Sequence, residues 1–318
     1  MTILITGATG CVGRRLVDRR PRESDRRLLL IVRSPEKAPE AVRADPRVSV
    51  HRTDLAEAEP ALPDLAGVEA AVLVATAWGG PEAMRVIRDA NLGLADRLIA
   101  AGCRRLLYFS TASVLGPDGA LLDVARDHGT DYIRGKHALT EAMETRAGAA
   151  EVAGLFPTLV VGGTPEGPVP LSHFARLMHE VRPWVGLARF LTAEARLHLI
   201  HAEDIAAATC RLLLRGEPPE PGARRLVLGD PATGLDELVR ADCAHVGLAR
   251  RPVLPLRPGL AEALIRLFRI RLSPWDRHCM EHRDQSYPGA VSPADFGLAP
   301  HMPDFAAGLR QIGVPGRR

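Results

Sequence analysis

The strongest constraint on this chain lies in its first thirteen residues. Thr2-Ile3-Leu4-Ile5-Thr6 is a short apolar-centred run, and Gly7-Ala8-Thr9-Gly10-Cys11-Val12-Gly13 follows it directly and opens an amphipathic stretch. Strand, glycine loop and helix in that order are more than a tight turn. The glycines let backbone N–H groups at a helix N-terminus come close to a pyrophosphate, whose charge the helix end also favours.

The alternation continues beyond this unit. Candidate strands are Thr2–Thr6, Arg27–Val32, Val48–His51, Ala70–Ala75, Arg105–Ser110 and Glu151–Phe156, rich in leucine and β-branched residues without strict alternation. That pattern predicts strands buried on both faces of a parallel sheet. Cys11–Arg20, Pro81–Ala101 and Asp131–Gly148 read as the intervening helices, the second starting at a proline and stopping at Gly102. The expected fold class is α/β: a doubly wound parallel (Rossmann) sheet with a smaller, mainly helical C-terminal substrate lobe. Residues 1–160, rejoined by 195–230, are expected to form the dinucleotide-binding domain, with 161–194 and 231–318 forming the lobe. Proline- and glycine-rich stretches such as Gly162–Pro168 and Glu217–Gly222 read as loops, because apolar periodicity resumes soon after each.

Composition narrows the function. A formal net charge of +3 over 318 residues gives no concentrated basic stripe, so nucleic acid is not an expected partner. The five scattered cysteines include no C-x-x-C, which speaks against a disulfide framework or a zinc ribbon. The chain starts without a basic, then apolar, signal segment and has no long apolar span. A reduced, cytoplasmic protein is expected. His278 and His282 are spaced i, i+4 but lack a third ligand, so no metal is expected. Leu260–Trp275 is a basic amphipathic stretch that could rest on a membrane. A place over the substrate pocket is the preferred reading.

The sharpest signal is Tyr132-Ile133-Arg134-Gly135-Lys136. With three tyrosines and only Lys37 and Lys136 as lysines among 41 basic residues, shuffling gives about 0.02 such Tyr-x-x-x-Lys pairs. On a helix the two share a face. A phenol titrates near 10, so acid–base work near pH 7 asks for a shift of about 3 units, and a nearby cation acts in that direction. Lysine is a compact point charge, whereas arginine is a planar fork, so its retention in an arginine-rich chain is informative. Hydroxyls in Ser110-Thr111-Ala112-Ser113 follow the fifth strand, on the side where parallel sheets hold ligands. Arg33, at the end of the second strand with Ser34 and Lys37 behind it, stands where an acid would meet ribose hydroxyls and points to the 2′-phosphate of NADP. Asp54 reads either as an acceptor for an adenine amino group or as a helix N-cap.

Together these features resemble the short-chain dehydrogenase/reductase superfamily, in its extended, epimerase/dehydratase-like type. The motifs are Thr6–Gly13, Asp54-Leu55, Asn91-Leu92-Gly93-Leu94, Ser110–Gly116 and Tyr132-x-x-x-Lys136 with Glu141. Phe156-Pro157-Thr158-Leu159-Val160-Val161-Gly162 and His201-Ala202-Glu203-Asp204-Ile205-Ala206 also match, so the resemblance is ordered over about residues 1–245. It implies that Tyr132 is the proton donor or acceptor, that Lys136 lowers its pKa and holds the nicotinamide ribose, and that Thr111 is the catalytic hydroxyl. Cofactor contacts would come from Gly7, Thr9, Gly10, Cys11, Val12, Gly13, Arg33, Asp54, Leu55, Ala75, Thr76, Asn91, Lys136 and Phe156. The cofactor is expected to be NADP, with NAD possible, and a homodimer through Pro81–Ala101 and Asp131–Gly148 is implied.

Departures from the pattern are Phe156 before the sixth-strand proline, Leu115 before Gly116, and Leu197 where nucleotide-sugar members commonly carry arginine, with Arg196 one place off. They favour a less charged substrate. The expected function is hydride transfer between a nicotinamide cofactor and a carbonyl or secondary alcohol of a small organic molecule. Two alternatives stand beside it: a nucleotide-sugar epimerase or dehydratase with retained NAD, and a non-catalytic, NADP-binding redox-sensing regulator.

Overall fold

A computed structural model describes the chain except for residues 1, 24, 58, 81, 149, 215–219, 252–253, 257–258, 260–272 and 317–318. Seven strands form its main sheet: β1 (Thr2–Thr6), β2 (Arg27–Val32), β3 (Val48–Arg52), β4 (Val68–Leu73), β5 (Arg105–Phe109), β6 (Glu151–Pro157) and β7 (Gly222–Leu228). They run in the order β7-β6-β5-β4-β1-β2-β3, and every pairing is parallel. The main helices are α1 (Cys11–Glu23), α2 (Asn91–Ala100), α3 (Asp131–Glu144), α4 (His173–Val181), α5 (Ala202–Leu214), α6 (Leu235–His245), α7 (Pro274–Glu281) and α8 (Phe305–Gln311).

The unbroken apolar strands have a simple cause: both faces of the sheet are covered. Ile3, Ile5, Leu28 and Leu30 pack against Leu16 and Val17 of α1 and Ile205 and Ala206 of α5. The alternate residues Leu4, Leu29 and Ile31 pack on the other face with Leu94 and Leu98 of α2 and Leu139 and Met143 of α3. Successive side chains of a strand point to opposite faces, so each must be apolar. This is the doubly wound α/β fold.

The strand order reverses at β1, which pairs with β2 on one side and β4 on the other. Ligands of such sheets bind outside the carboxyl ends of the strands at this reversal. Here the two ends are stitched together, because buried Thr6 accepts hydrogen bonds at Oγ1 from the N–H groups of Val74 (3.0 Å) and Ala75 (3.1 Å). That capture ends β4 at Leu73 rather than at Ala75.

Several elements differ from the sequence expectation. The helix expected over Pro81–Ala101 is interrupted by a π-helical stretch, Arg85–Ala90, before α2. The third long helix stops at Glu144, where the Thr145 hydroxyl and the Arg146 guanidinium both bond back to the Ala142 carbonyl. β7 is an additional edge strand. Short two-residue and three-residue pairs, such as Leu159–Val161 with Leu199–His201, build the region beyond β6. There Val161, Ala175, Leu199, Leu238, Met302, Leu309 and Ile312 form a separate buried cluster. The amphipathic stretch Leu260–Trp275 falls, up to residue 272, outside the described residues. Trp275 itself is buried, in α7. Among the described residues no helix is long and apolar enough to cross a membrane.

One buried ion pair locks the far side of the sheet. Arg105 Nε on β5 donates to Glu151 Oε2 on β6 at 2.9 Å with both side chains 4% exposed, while Arg224 of β7 donates to the other carboxylate oxygen. Removing one partner leaves an uncompensated buried charge. Glu151→Ala is therefore expected to lower stability by about 3–5 kcal/mol, and an apolar double replacement of Arg105 and Glu151 to recover much of that. Urea unfolding midpoints check both values.

Candidate functional site

The glycine loop sits at the β1–α1 junction. Gly7 has φ +65°, and a Cβ there would meet the Ala75 nitrogen at 2.9 Å; a Cβ on Gly13 would lie 2.2 Å from the Gly7 carbonyl oxygen. Both positions therefore require glycine. The Gly10 N–H donates to Gly7 O (3.0 Å), closing the turn, and Arg14 N–H donates to Gly10 O (3.0 Å) as the helix begins. The Arg15 guanidinium donates to the Cys11 carbonyl at 2.6 Å and pairs with Glu203 at 3.0 Å, bracing the N-terminus of α1 against α5. Asp204 of the same helix accepts from the His301 N–H at 2.9 Å, so the His201–Ala206 motif fastens the C-terminal segment in place.

The other expected cofactor positions lie around this crevice. Arg33 follows β2 directly and is exposed, with no ion pair among the described residues. Asp54 Oδ1 accepts from the Ala56 N–H at 2.9 Å, so one oxygen is committed to a local turn, and among the described residues β4 is the next element. Leu55 is a core residue, 7% exposed. Ala75 and exposed Thr76 lie in the loop after β4. Asn91 is buried at the first turn of α2, and its Nδ2 donates to the carbonyls of Val86 (2.9 Å), Ile87 (3.0 Å) and Ala75 (3.3 Å). It thus occupies carbonyls that the π-helical stretch leaves misaligned, and its own Oδ1 is buried with no partner among the described residues. Phe156 is fully buried, edge-on to Tyr108. Its ring is core, and any contact with a ligand would have to come from its backbone.

Thr111, Tyr132 and Lys136 meet at the carboxyl end of β5. Thr130 caps α3 by accepting from the Ile133 N–H, which starts the helix at Asp131 and puts Tyr132 and Lys136 on one face. Lys136 is 2% exposed, its Nζ donates to the Phe109 carbonyl at 2.6 Å, and it lies 5.7 Å from the Tyr132 ring centroid. Desolvation lowers its pKa to about 7. Burial also raises the Tyr132 phenol above its ordinary value, partly offset by a hydrogen bond with the Thr111 side chain. Ser110 turns away: its hydroxyl donates to the Lys136 carbonyl and accepts from Thr140, which fixes β5 against α3. Thr111 is thus the hydroxyl of the pair that meets Tyr132.

Two features were not anticipated. The Tyr287 hydroxyl donates to the Ala112 carbonyl at 2.9 Å, tying the loop after Thr111 to the C-terminal segment. Trp78 stacks on Tyr132 with centroids 4.8 Å apart and planes at 15°. A tryptophan before two glycines just beyond a strand was the available signal. His278 and His282 stack on each other at 4.2 Å, and no group of three metal-ligating side chains occurs among the described residues.

The family model described as "NAD dependent epimerase/dehydratase family" matches residues 3–227. The chain belongs to this family. No curated protein matches it. Among solved structures, gox2253 is 22% identical to this family member, with a TM-score of 0.69 and 99% of each chain covered. MoeE5, solved with UDP-glucuronic acid and NAD, is 18% identical over 98% of this chain and 97% of its own, with a TM-score of 0.61. A double mutant of the dTDP-glucose 4,6-dehydratase DesIV from Streptomyces venezuelae, solved with NAD and DAU bound, is 15% identical over 98% of this chain and 95% of its own, with a TM-score of 0.63. At these identities the likeness is one of fold.

The family implies a nicotinamide dinucleotide, and the crevice suits one. Side chains are excluded from the β1–α1 turn by contacts under 3 Å at Gly7 and Gly13, so the turn offers a ligand backbone N–H groups and a helix N-terminus, the donors a pyrophosphate takes.

Proposed function

We propose that the protein catalyses NAD(P)-dependent oxidoreduction of a carbonyl or secondary alcohol on a small organic molecule. The observation that carries this reading is the contact of Tyr132 with Thr111 beside buried Lys136, on the same side of the sheet as the glycine loop. When bound, the nicotinamide would supply or accept the hydride. Gly7 to Gly13 would hold its pyrophosphate and Lys136 its ribose. Tyr132 would move the proton on the substrate oxygen, Thr111 would hydrogen-bond that oxygen, and the Lys136 charge would favour the phenolate. The lobe formed by 161–194 and 231–318 would choose the substrate.

Its cavity supports a weakly charged one. An open hollow of about 280 Å³ is lined by Ala193, Ala195, Leu197, Leu235 and Met280 among others, with Arg283 as its charged residue among the described residues. That arginine already donates to the Met280 and Leu256 carbonyls. A diphosphate would find little counter-charge there.

NADP is proposed over NAD because Arg33 follows β2 exposed and without an ion pair among the described residues. Arg33→Ala is expected to weaken NADPH by about 10- to 100-fold, the worth of a charge-assisted hydrogen bond, and to leave NADH unchanged. Fluorescence titration with both cofactors measures it. A nucleotide-sugar epimerase or dehydratase with retained NAD is the second reading, favoured by the family and by the NAD-bound neighbours. It predicts NAD copurifying with the protein and no net turnover of added cofactor. Stoichiometric NADPH loss with a ketone panel would exclude it.

A further inference from the structure

Trp78 is out of place as a structural residue. It lies in the loop after β4, is 63% exposed, and is followed by Gly79 (φ +143°) and Gly80 (φ +79°). Exposing so large an apolar ring costs free energy unless something covers it. What touches it is informative. One neighbour is the Tyr132 ring, nearly parallel at 4.8 Å; another is the exposed His173 ring, at 5.2 Å and 20°. His173 opens α4, and Leu177, one turn further on the same helix, is 41% exposed. The indole thus stands between the proposed proton-transfer residue and the first helix beyond β6. It follows β4, while the glycine loop follows β1.

We infer that Trp78 is a specificity-determining substrate contact, and that the substrate carries a planar, unsaturated or aromatic group next to its reacting carbon. Such a group packs on the part of the indole that Tyr132 and His173 leave exposed, while its oxygen meets Tyr132 and Thr111. A saturated ring of equal size is thicker than a π-face and cannot approach the indole as closely, so the discrimination comes from shape and stacking together. No charged residue is needed. The inference rests on the oxidoreductase reading for its chemistry but not for its binding test.

The test uses matched ketones, acetophenone against cyclohexyl methyl ketone and 2-acetylnaphthalene against its decalin counterpart, bound to the protein saturated with oxidised NADP so that no turnover occurs. Calorimetry is expected to give the aryl member of each pair a Kd lower by about three- to tenfold, the range stacking supplies. Trp78→Phe should keep that ratio and Trp78→Ala should bring it to one, with melting temperature and NADP affinity unchanged in both. In turnover with NADPH the loss should fall in KM rather than kcat. Equal binding within each pair, binding of neither member, or a preference that survives Trp78→Ala overturns the inference. So does a Trp78→Ala protein that loses NADP affinity while the ketone ratio persists, since the indole would then serve the cofactor. A ketone preference that disappears in Trp78→Ala with no NADPH consumed by any ketone would keep the substrate contact and remove the oxidoreductase reading instead.

Discussion

Replacing Tyr132 by phenylalanine is expected to lower turnover by roughly two to four orders of magnitude while NADPH and NADH affinities stay within about twofold. The substitution removes only the hydroxyl. It keeps the ring that stacks on Trp78 and packs beside Ile133 and Val114, so the fold and the cofactor crevice survive it. A protein that used the cofactor only as a signal would keep its effect. The pH dependence carries a second, independent check. Burial holds the phenol above its ordinary value, and a hydrogen bond with the Thr111 side chain opposes that; a charged Lys136 beside the ring would act in the same direction. In the oxidation direction the phenolate is the working form, so rate rises with pH until the phenol is ionised. Lys136→Met removes the cation, and the rising limb should move to higher pH. The same lysine leaves a mark on stability. Its folded pKa of about 7 lies below the unfolded value, which is about 10.4. The unfolded chain therefore holds the extra proton between those two pH values, and stability from this group grows as pH rises through that window and is lost as pH falls through 7. Urea unfolding at pH 7 and pH 9 should show this slope in the wild type and lose it in Lys136→Met.

What could be read from the sequence was what is local. Five of the six strands expected there lie where apolar residues run continuously, because they are covered on both faces; β3, at the sheet edge, has the mixed sequence Val48-Ser49-Val50-His51-Arg52 and no buried residue. Tyr132 and Lys136 are four apart on one helix, so their meeting needs no knowledge of the fold. The boundaries went astray where a distant residue decides. β4 ends early because Thr6, sixty-eight residues before Val74, takes its N–H. The long helix before β5 breaks into a π-helical stretch because Asn91 reaches back to Val86 and Ile87 and across to Ala75. β7 was hidden by Arg224 and Arg225, which look like loop residues until their partners Glu151 and Glu144 are brought beside them. Trp78 before two glycines was a signal, but its partners could not be read, since Tyr132 and His173 come from two other parts of the chain. Asp54 was legible as an acceptor at a strand end, yet part of its capacity goes to the Ala56 N–H.

Gly13→Ala should abolish binding of NADPH and NADH alike, in contrast to the selective effect of Arg33→Ala. The added Cβ would lie 2.2 Å from the Gly7 oxygen and 2.8 Å from the Gly7 carbonyl carbon. Neither atom belongs to a flexible side chain, so α1 must move away from the β1 turn. That separation opens the ring of N–H groups on which a pyrophosphate would sit, and affinity should fall by at least about 100-fold, as when several charge-assisted hydrogen bonds are lost together. The accompanying loss of stability is about 1–3 kcal/mol, the usual range for overpacking. Gly10→Ala grades the argument: its nearest new contact is 3.3 Å, so a shift of a few tenths of an ångström relieves it and most binding should remain. Gly93→Ala sets the baseline. That glycine lies inside α2 with nothing within 4 Å of an added Cβ, so alanine should stabilise the helix by about 0.8–1 kcal/mol and leave the cofactor untouched. If all three variants bound alike, the glycines would be serving helix entropy rather than a phosphate. The order Gly93, Gly10, Gly13 in rising loss of both cofactors is what a backbone cradle at the end of β1 requires.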